Sequence, residues 1–600
     1  MRHGAPWVLR FPAGRHAEPT SGVPKLWSAS EPGVRAAFSG TLFEPDLLAK
    51  RLGLTEDAAL NPASLVLQAY VKLGDEWAHV LRGQYAAIVD DRLSDRFIAV
   101  RDAMGLHPLF FADARDELLL SWSTEALVAQ PHVWSTLNRA ALADHLMHRW
   151  PDASETYFAH VRRVPPGHLL EVNRHGRQLR RYWDPASHDA TAWLQDDEVE
   201  QFDQVFERAV TRCLARGRAG IFLSGGVDSV SIAALAVDVA QRLEQPTPRA
   251  LSLVFPDAAC NEERVQRGVA RSLGMEHDVV SFGDAVGERG LLQPAMEMAS
   301  TWPAPMMNLW QPAYTHLARV ARDRGCSTIL TGSGGDEWLT VTPYLAADYL
   351  RRGQLIALAR HIGMSQRSYR MSVLGGVRAT LWTFGARPLV GMVADRIAPS
   401  AWQARRHRKI VRATPAWVAP ARELRQQVDE RASRVLSPSQ PFRGSFYERE
   451  MRTALEHPLM AMEAEEHFEM GHRLGVDIVH PFWDSDLVDL LYRTPPQRLS
   501  AGGRSKGLVR TTIARRFAKL GFERQRKVNA TEFCRSILQT EGPSIWTALG
   551  RRATALADLG IVDASLLAKS LGELFAGRRP RENYRIWNTL HLEAWVRSRA

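Results

Sequence analysis

The stretch Gly220-Ile221-Phe222-Leu223-Ser224-Gly225-Gly226-Val227-Asp228-Ser229 constrains this chain more than any other. Its apolar start predicts a strand, its two glycines a tight turn, and Val230 to Ala236 a buried helix. Glycine lets a backbone approach a ligand closely, and the first turn of a helix offers unpaired N–H groups to an anion. No lysine follows in the GxxxxGK[ST] spacing, which argues against transfer of a γ-phosphate. A second apolar strand, Ser327 to Thr331, runs into Gly332-Ser333-Gly334-Gly335-Asp336-Glu337. A carboxylate in a glycine-rich loop at the carboxyl end of a parallel strand suits Mg²⁺, which takes oxygen ligands and bridges phosphates. Asp228 and Asp336 are the predicted metal ligands.

The SGGxDS pattern resembles the pyrophosphate loop of enzymes that split ATP between its α and β phosphates. Paired with GSGGDE at this separation, it resembles the asparagine synthetase superfamily. The resemblance implies ATP and Mg²⁺ as cofactors, held by Leu223, Ser224, Gly225, Gly226, Asp228, Ser229, Gly332 and Gly334. It places the strand Leu251 to Phe255 beside adenine, read by backbone groups near Val254, with Asn261-Glu262-Glu263 and His277 at family-like spacing. Val476 to Asp484 resembles the RVPFLD element, Ser505 to Arg510 the KxxLR helix start, and Arg526-Lys527 the final RxK. Lys506 is thereby implied to lie against the α-phosphate and the reacting carbonyl, where a fixed cation stabilises developing charge. Lys506 and Arg510, at i and i+4, are expected to share one helical face.

The first 185 residues are rich in strand signals. Gly83 to Asp90, Phe97 to Asp102 with Gly105 to Phe111, and Leu118 to Ser123 resemble the GxxAxxxxD, RDxxGxxPLYY and strand-SE signals of the family's glutaminase domain. Val164-Pro165-Pro166-Gly167-His168 and Tyr182-Trp183 resemble its closing elements. Glutamine-using members carry Cys after the initiator Met. Here Arg2 follows Met1, and no cysteine precedes Cys213. A thioester needs a thiol, so a relic domain without glutaminase activity is expected. Asp184 to Glu198 reads as a polar linker, and the alternating helix and strand signals of a parallel sheet begin at Val199. The expected architecture is α/β. An Ntn-hydrolase-like αββα sandwich spans 1–185, and a Rossmann-like pyrophosphate-loop synthetase domain spans 186–600 with a helical insertion at about 344–445.

That insertion is rich in arginine, from Arg351 and Arg352 through Arg360, Arg367, Arg370 and Arg378 to Arg405-Arg406-His407-Arg408-Lys409. It also carries Trp382, Phe384 and Trp417. It reads equally as substrate-specific surface and as a lid with a solvated basic face. The net charge of +10 is compatible with acidic partners and with arginine-biased codon usage. No nucleic-acid partner is expected. Apolar content of 45% and charged content of 24% suit a globular protein. The apolar zone Met371 to Ala394 is broken by glycine, arginine and proline, so no transmembrane segment is expected, although peripheral membrane contact stays open. Four scattered cysteines without metal-ligand spacing suggest reduced thiols in the cytoplasm.

The middle residue of the second loop is Glu in asparagine-forming members and Tyr in β-lactam-forming ones; here it is Ser333, a poor base. A peptide α-amino group, with a pKa near 8, needs little help as a nucleophile. Glu466 or Glu469, on the acidic helix Glu463 to Glu469, is the candidate assistant, and Lys506, Glu469 and Ser333 form the expected catalytic set. The resemblance is greatest to the lasso peptide macrolactam synthetases. It implies activation of an Asp or Glu side chain of a ribosomal precursor peptide as an AMP ester, then attack by the peptide's N-terminal amine. A leader peptidase and a leader-recognition protein are the expected partners. A β-lactam-forming synthetase and an ammonia-using asparagine synthetase are the alternatives. A tRNA-modifying pyrophosphate-loop enzyme would leave the N-terminal third unexplained.

Overall fold

The computed structural model describes residues 6–12, 27–55, 57, 61–150, 152–187, 193–369, 372–436, 444–521, 525, 528–551 and 553–599. The N-terminal region holds two antiparallel sheets. One runs, in spatial order, Gly176–Arg181, His168–Asn173, Arg96–Arg101, Gly83–Asp91, Val34–Leu42 and Trp27–Glu31. The other runs Leu9–Pro12, Glu117–Ser121, Phe110–Ala114 and Val161–Arg163. Successive side chains of a strand point to opposite faces, and this builds the layers. Tyr85, Ala87 and Val89 pack with Phe38 and Ile98 under Leu65 and Ala69 of the helix Pro62–Leu73. Their neighbours Ala86 and Ile88 pack with Phe97, Leu118 and Leu120 between the sheets. The far face of the second sheet, with Phe110, Ala112 and Leu119, lies against the helix Arg139–Leu146. The product is the expected helix–sheet–sheet–helix sandwich.

The second half is built on a parallel sheet in the order His277–Ser281, Arg249–Val254, Ala219–Phe222, Thr328–Leu330 and Asp477–Val479. Its strands are short and apolar because both faces are covered. Ala219, Ile221 and Leu330 pack with the helices Phe202–Leu214 and Val227–Arg242. Leu251, Leu253 and Ile329 pack with Leu292–Thr301 and Gln311–Asp323 on the other side. From Ala219–Phe222 the chain steps outward two strands, then returns to Thr328–Leu330 on the opposite flank. Ile221 pairs with Leu330 across this reversal. The crevice at the carboxyl ends of two such strands is where open α/β sheets bind ligands. The predicted insertion is helical, including Leu345–Arg351, Leu355–Ser368, an unbroken helical run Val373–Ile397, Pro399–Ala413 and Arg422–Leu436.

One ionic cluster joins the two halves. Glu465, on the helix Pro458–Leu474, accepts from Arg101 Nη1 at 3.0 Å and from Arg163 Nε and Nη2 at 2.6 and 2.9 Å. Arg101 is fully buried and also donates to the carbonyls of Gly105, His107 and Val164. Burial alone would push the Glu465 carboxyl up, but Arg163 and Arg101 hold it below the usual range. Asp102 accepts from the N–H groups of Leu106 and His107 at 3.0 and 2.8 Å, so the Arg101-Asp102 pair shapes its own loop while Arg101 grips the synthetase half. All four cysteines are unpaired thiols, and Cys213, Cys260 and Cys326 are buried. Among the described residues, no helix is long and apolar enough to cross a membrane.

Candidate active site

The two glycine-rich loops meet at the topological reversal. Leu223 N–H still belongs to the sheet, donating to the carbonyl of Leu251. The chain then turns through Ser224 and Gly225, and Gly226 caps the helix Val227–Arg242. The turn is closed by hydroxyls. Ser229 Oγ accepts from Ser224 N–H at 3.1 Å and lies 2.8 Å from Ser224 Oγ, which accepts from Gly226 N–H at 3.1 Å. Gly225 N–H donates to the Glu262 carboxylate at 3.1 Å, so an anionic oxygen already sits on the loop amide. A Cβ at Gly225 would stand 2.6 Å from that carboxylate.

The second loop lies against the first. A Cβ at Gly332 would meet Ser229 N at 3.0 Å. Gly334 has φ +96°, and a Cβ there would fall 2.8 Å from Phe482 Cβ. Trp483 follows Phe482, and its indole N–H donates to Ser333 Oγ at 3.2 Å. The PFWD element thus holds the second loop in place. Its Asp484 caps the next helix and is paired with Arg212 at 2.8 Å, a structural role.

Lys506 joins the loops. Its ammonium donates to Asp228 Oδ2, and to Asp336 Oδ1 at 2.7 Å. Burial pushes this ammonium down, but the two carboxylates outweigh burial and raise its pKa above the ordinary lysine value. Lys506 is not on the helix with Arg510 as the spacing suggested. It precedes the helix Gly507–Arg516 with φ 63°, in the left-handed region. Arg510 instead turns back to donate to the carbonyls of Ser505 at 2.9 Å and Gln525 at 3.0 Å, bracing the approach to Lys506. Arg526-Lys527 lies outside the described residues.

A cavity of about 390 Å³ opens beside these loops. Leu223, Ser224, Asp228, Ser229, Gly332 and Ser333 line it. Phe255, Trp310, Tyr314 and Leu317 add an apolar, aromatic part of the lining. Val254 closes its strand opposite Ser281, while its neighbours Leu253 and Phe255 line the cavity. Sequence reasoning missed Gln266, on the helix that follows Asn261-Glu262, and Trp310, Tyr314 and Gln311, at the start of a helix with no motif of its own. Gln311 is fully buried, lines the cavity, and finds no hydrogen-bond partner among the described residues for either amide atom. Such a group costs free energy unless something bonds to it.

The residues fit ATP and Mg²⁺. The loop amide already carries an anionic oxygen, the cavity lining has an aromatic part for a base, and Gln311 awaits a polar partner. No group of three or more His, Cys, Asp or Glu side chains among the described residues is arranged to hold a metal alone. Two carboxylates converging on a single cation suit Mg²⁺, which completes its shell with phosphate oxygens and water.

The helix Pro458–Leu474 corrects the expected base. His467 and Met470 line the cavity beside the loops, and Glu463 lies on their side of the helix at i−4 from His467. Glu466 and Glu469 point elsewhere, into a separate cavity of about 50 Å³ between the two halves. Glu466 accepts from the N–H groups of Met307 and Asn308, the latter at 3.2 Å. Glu469 is paired with Arg473 at 2.6 Å. Lys506 and Ser333 flank the loop junction; Glu469 does not join them. Burial, and then the nearby Glu337, push the Glu463 carboxyl up to about 7.

Family models match both halves. One described as asparagine synthase matches residues 201–597, and one described as a glutamine amidotransferase domain matches 37–183. Amidase chyE of Penicillium rubens is 24% identical over 339 residues, covering 53% of this chain and 48% of that protein. Glutamine-hydrolyzing asparagine synthetase 2 of Bacillus subtilis is 24% identical over 296 residues, covering 46% and 39%. Its namesake from Arabidopsis thaliana is 23% identical over 326 residues, covering 54% and 51%. The chain spans about half the length of the curated relatives it matches. With two-thirds of its length under one family model, and both glycine-rich loops of that half meeting at Lys506, this chain belongs to the asparagine synthase family.

Proposed function

We propose that this chain is an AMP-forming amide ligase that closes a macrolactam in a ribosomally made precursor peptide. Ser333 carries this reading. Its hydroxyl accepts the Trp483 indole N–H, and neither a carboxylate nor a phenol stands at that position to deprotonate a nucleophile. The peptide's own α-amine, largely free near neutral pH, fits such a site. On this reading the peptide itself supplies the nitrogen, and no ammonia from glutamine is needed.

When bound, ATP with Mg²⁺ supplies an activated phosphate and a pyrophosphate leaving group. The turn Ser224 to Gly226 would receive the pyrophosphate by letting it replace the Glu262 carboxylate on the Gly225 amide, and Asp228 and Asp336 would hold the metal. Lys506 would then face the α-phosphate and the acyl oxygen, its charge maintained by its environment. The Asp or Glu side chain of the peptide becomes an AMP ester, and the N-terminal amine displaces AMP to form the isopeptide bond. Holding amine and ester in one cavity supplies much of the second step. A leader peptidase and a leader-recognition protein are proposed to deliver the cleaved peptide.

A second reading, formation of free asparagine from aspartate and ammonia, is favoured by the match to a glutamine amidotransferase domain and by the asparagine synthetases among its relatives. Mass spectrometry of the chain with ATP, Mg²⁺ and a leader-cleaved peptide separates the two. Loss of one water from the peptide, with AMP and pyrophosphate, is expected. Asparagine from free aspartate and ammonia, with no peptide dehydrated, overturns the macrolactam reading.

A further inference from the structure

The helical run Val373–Ile397 changes its winding midway. Its first segment, Val373–Arg378, and last segment, Arg387–Ile397, are α-helical, and the eight residues Ala379–Ala386 between them form a π-helix. An α-helix turns by about 100° per residue. The wider π turn advances by roughly 80°. Eight residues of plain α-helix therefore shift a side chain by about 80° around the axis. Four of each kind bring it back almost in line.

Leu374 to Trp382 and Trp382 to Val390 are two such mixed steps. Ile397, seven residues on, completes nearly two α turns. The π segment thus lines up Leu374, Trp382, Val390 and Ile397 along one side of the run. They are 85%, 55%, 54% and 78% exposed. Gly376, Thr380 and Gly385 are the buried positions of the run, and a Cβ at Gly385 would stand 2.7 Å from Leu350 of the helix Leu345–Arg351. One side is fixed to the protein by small residues while the other offers aliphatic and indole side chains outward. The segment Arg387–Ile397 buries no side chain at all, although it contains Leu389, Val390, Met392 and Val393.

Charge identifies the occupant. Between Ser372 and Ala413 there are eight arginine or lysine residues against a single acid, Asp395. Arg378 and Arg387 border the apolar line by helical phase on one side. The next helix, Pro399–Ala413, adds the exposed Arg405, Arg408 and Lys409 and buries only Ile410. An exposed apolar line with an indole, edged by arginines and followed by a basic helix, has the composition of a helix that lies in the interface of an anionic bilayer. A second copy would set this dense, one-signed charge against itself, since the chain is itself basic.

We propose that the outer side of Val373–Ala413 docks on an anionic lipid surface, seating the enzyme at a membrane without spanning it. The test is flotation of the full chain with phosphatidylcholine vesicles, with and without phosphatidylglycerol. The chain should float with the anionic vesicles and not with the neutral ones, and added salt should weaken binding. Leu374→Glu with Ile397→Glu should lower the bound fraction at least about tenfold, because two buried aliphatic contacts are lost. Both residues are strongly exposed, so the double variant should keep the wild-type thermal midpoint and nucleotide turnover. Arg405→Glu with Arg408→Glu should weaken anionic binding separately. Failure of the wild type to float overturns the proposal, whether light scattering then shows a dimer sealed by this face or a monomer. Equal flotation of the Leu374→Glu, Ile397→Glu variant overturns it too.

Discussion

A Cβ built on Gly335 would stand 2.4 Å from Cγ of Asp228 and 2.6 Å from its Oδ1. The two signature loops are separated by more than a hundred residues, yet the backbone of one is the wall against which the carboxylate of the other rests. Asp228 can meet Lys506 only because position 335 carries no side chain.

Gly335→Ala should therefore displace Asp228 and leave the core intact. A shift of about 1 Å in a catalytic group can cost about 10²-fold in rate. Pyrophosphate exchange into ATP is the measurement, with the thermal midpoint as control. Exchange at the wild-type rate would show that the Asp228 position does not matter.

Lys506→Ala should remove the cation shared by Asp228 and Asp336. Loss of one preorganised electrostatic contact typically costs ~10²–10³ in turnover. AMP release should fall accordingly, and chelating Mg²⁺ should abolish it in the wild type. An undiminished rate in the variant would sink the assignment of this lysine.

Glu465→Gln should loosen the two halves. It removes the charge that compensates Arg101 and Arg163, both buried. Removing one partner of a buried ion pair costs about 3–5 kcal/mol. Chemical denaturation should show a lower midpoint or a separate early transition, with Glu297→Gln, at the exposed pair with Arg289, as a near-neutral comparison. Equal midpoints for the two variants would count against the lock.

Glu466→Gln should alter how stability depends on pH. Burial raises the Glu466 carboxyl to about 8, despite the N–H groups of Met307 and Asn308. A carboxyl raised in the folded state contributes stability that is fully present below the ordinary glutamate pKa of about 4.3 and lost as pH climbs to the folded value. The variant should thus gain on the wild type between about pH 4.3 and 8, by up to about 1.4 kcal/mol per pH unit. Above that range the gap should be level. Thermal melts across pH decide it, and parallel curves for the two proteins would show that Glu466 does not titrate.

The two glycine-rich loops with their strands and helices were legible from local signals: apolar runs, and glycines where a turn or a close approach leaves no room for Cβ. The sandwich ahead of them was legible through its resemblance to the glutaminase domain. What faces what was decided only in three dimensions. Arg101 and Glu465 lie 364 positions apart, and nothing local in either says that they meet. The acidic helix was legible, but its rotation was not. Packing turned His467 toward the cavity beside the loops and sent Glu466 and Glu469 to the domain interface. The insertion's apolar residues were equally visible as composition. Only the π segment, which packing on Leu350 accompanies, shows that they form one line. Local sequence sets the period of an element, whereas its phase is set by the neighbours it packs against, and those neighbours are distant in the chain.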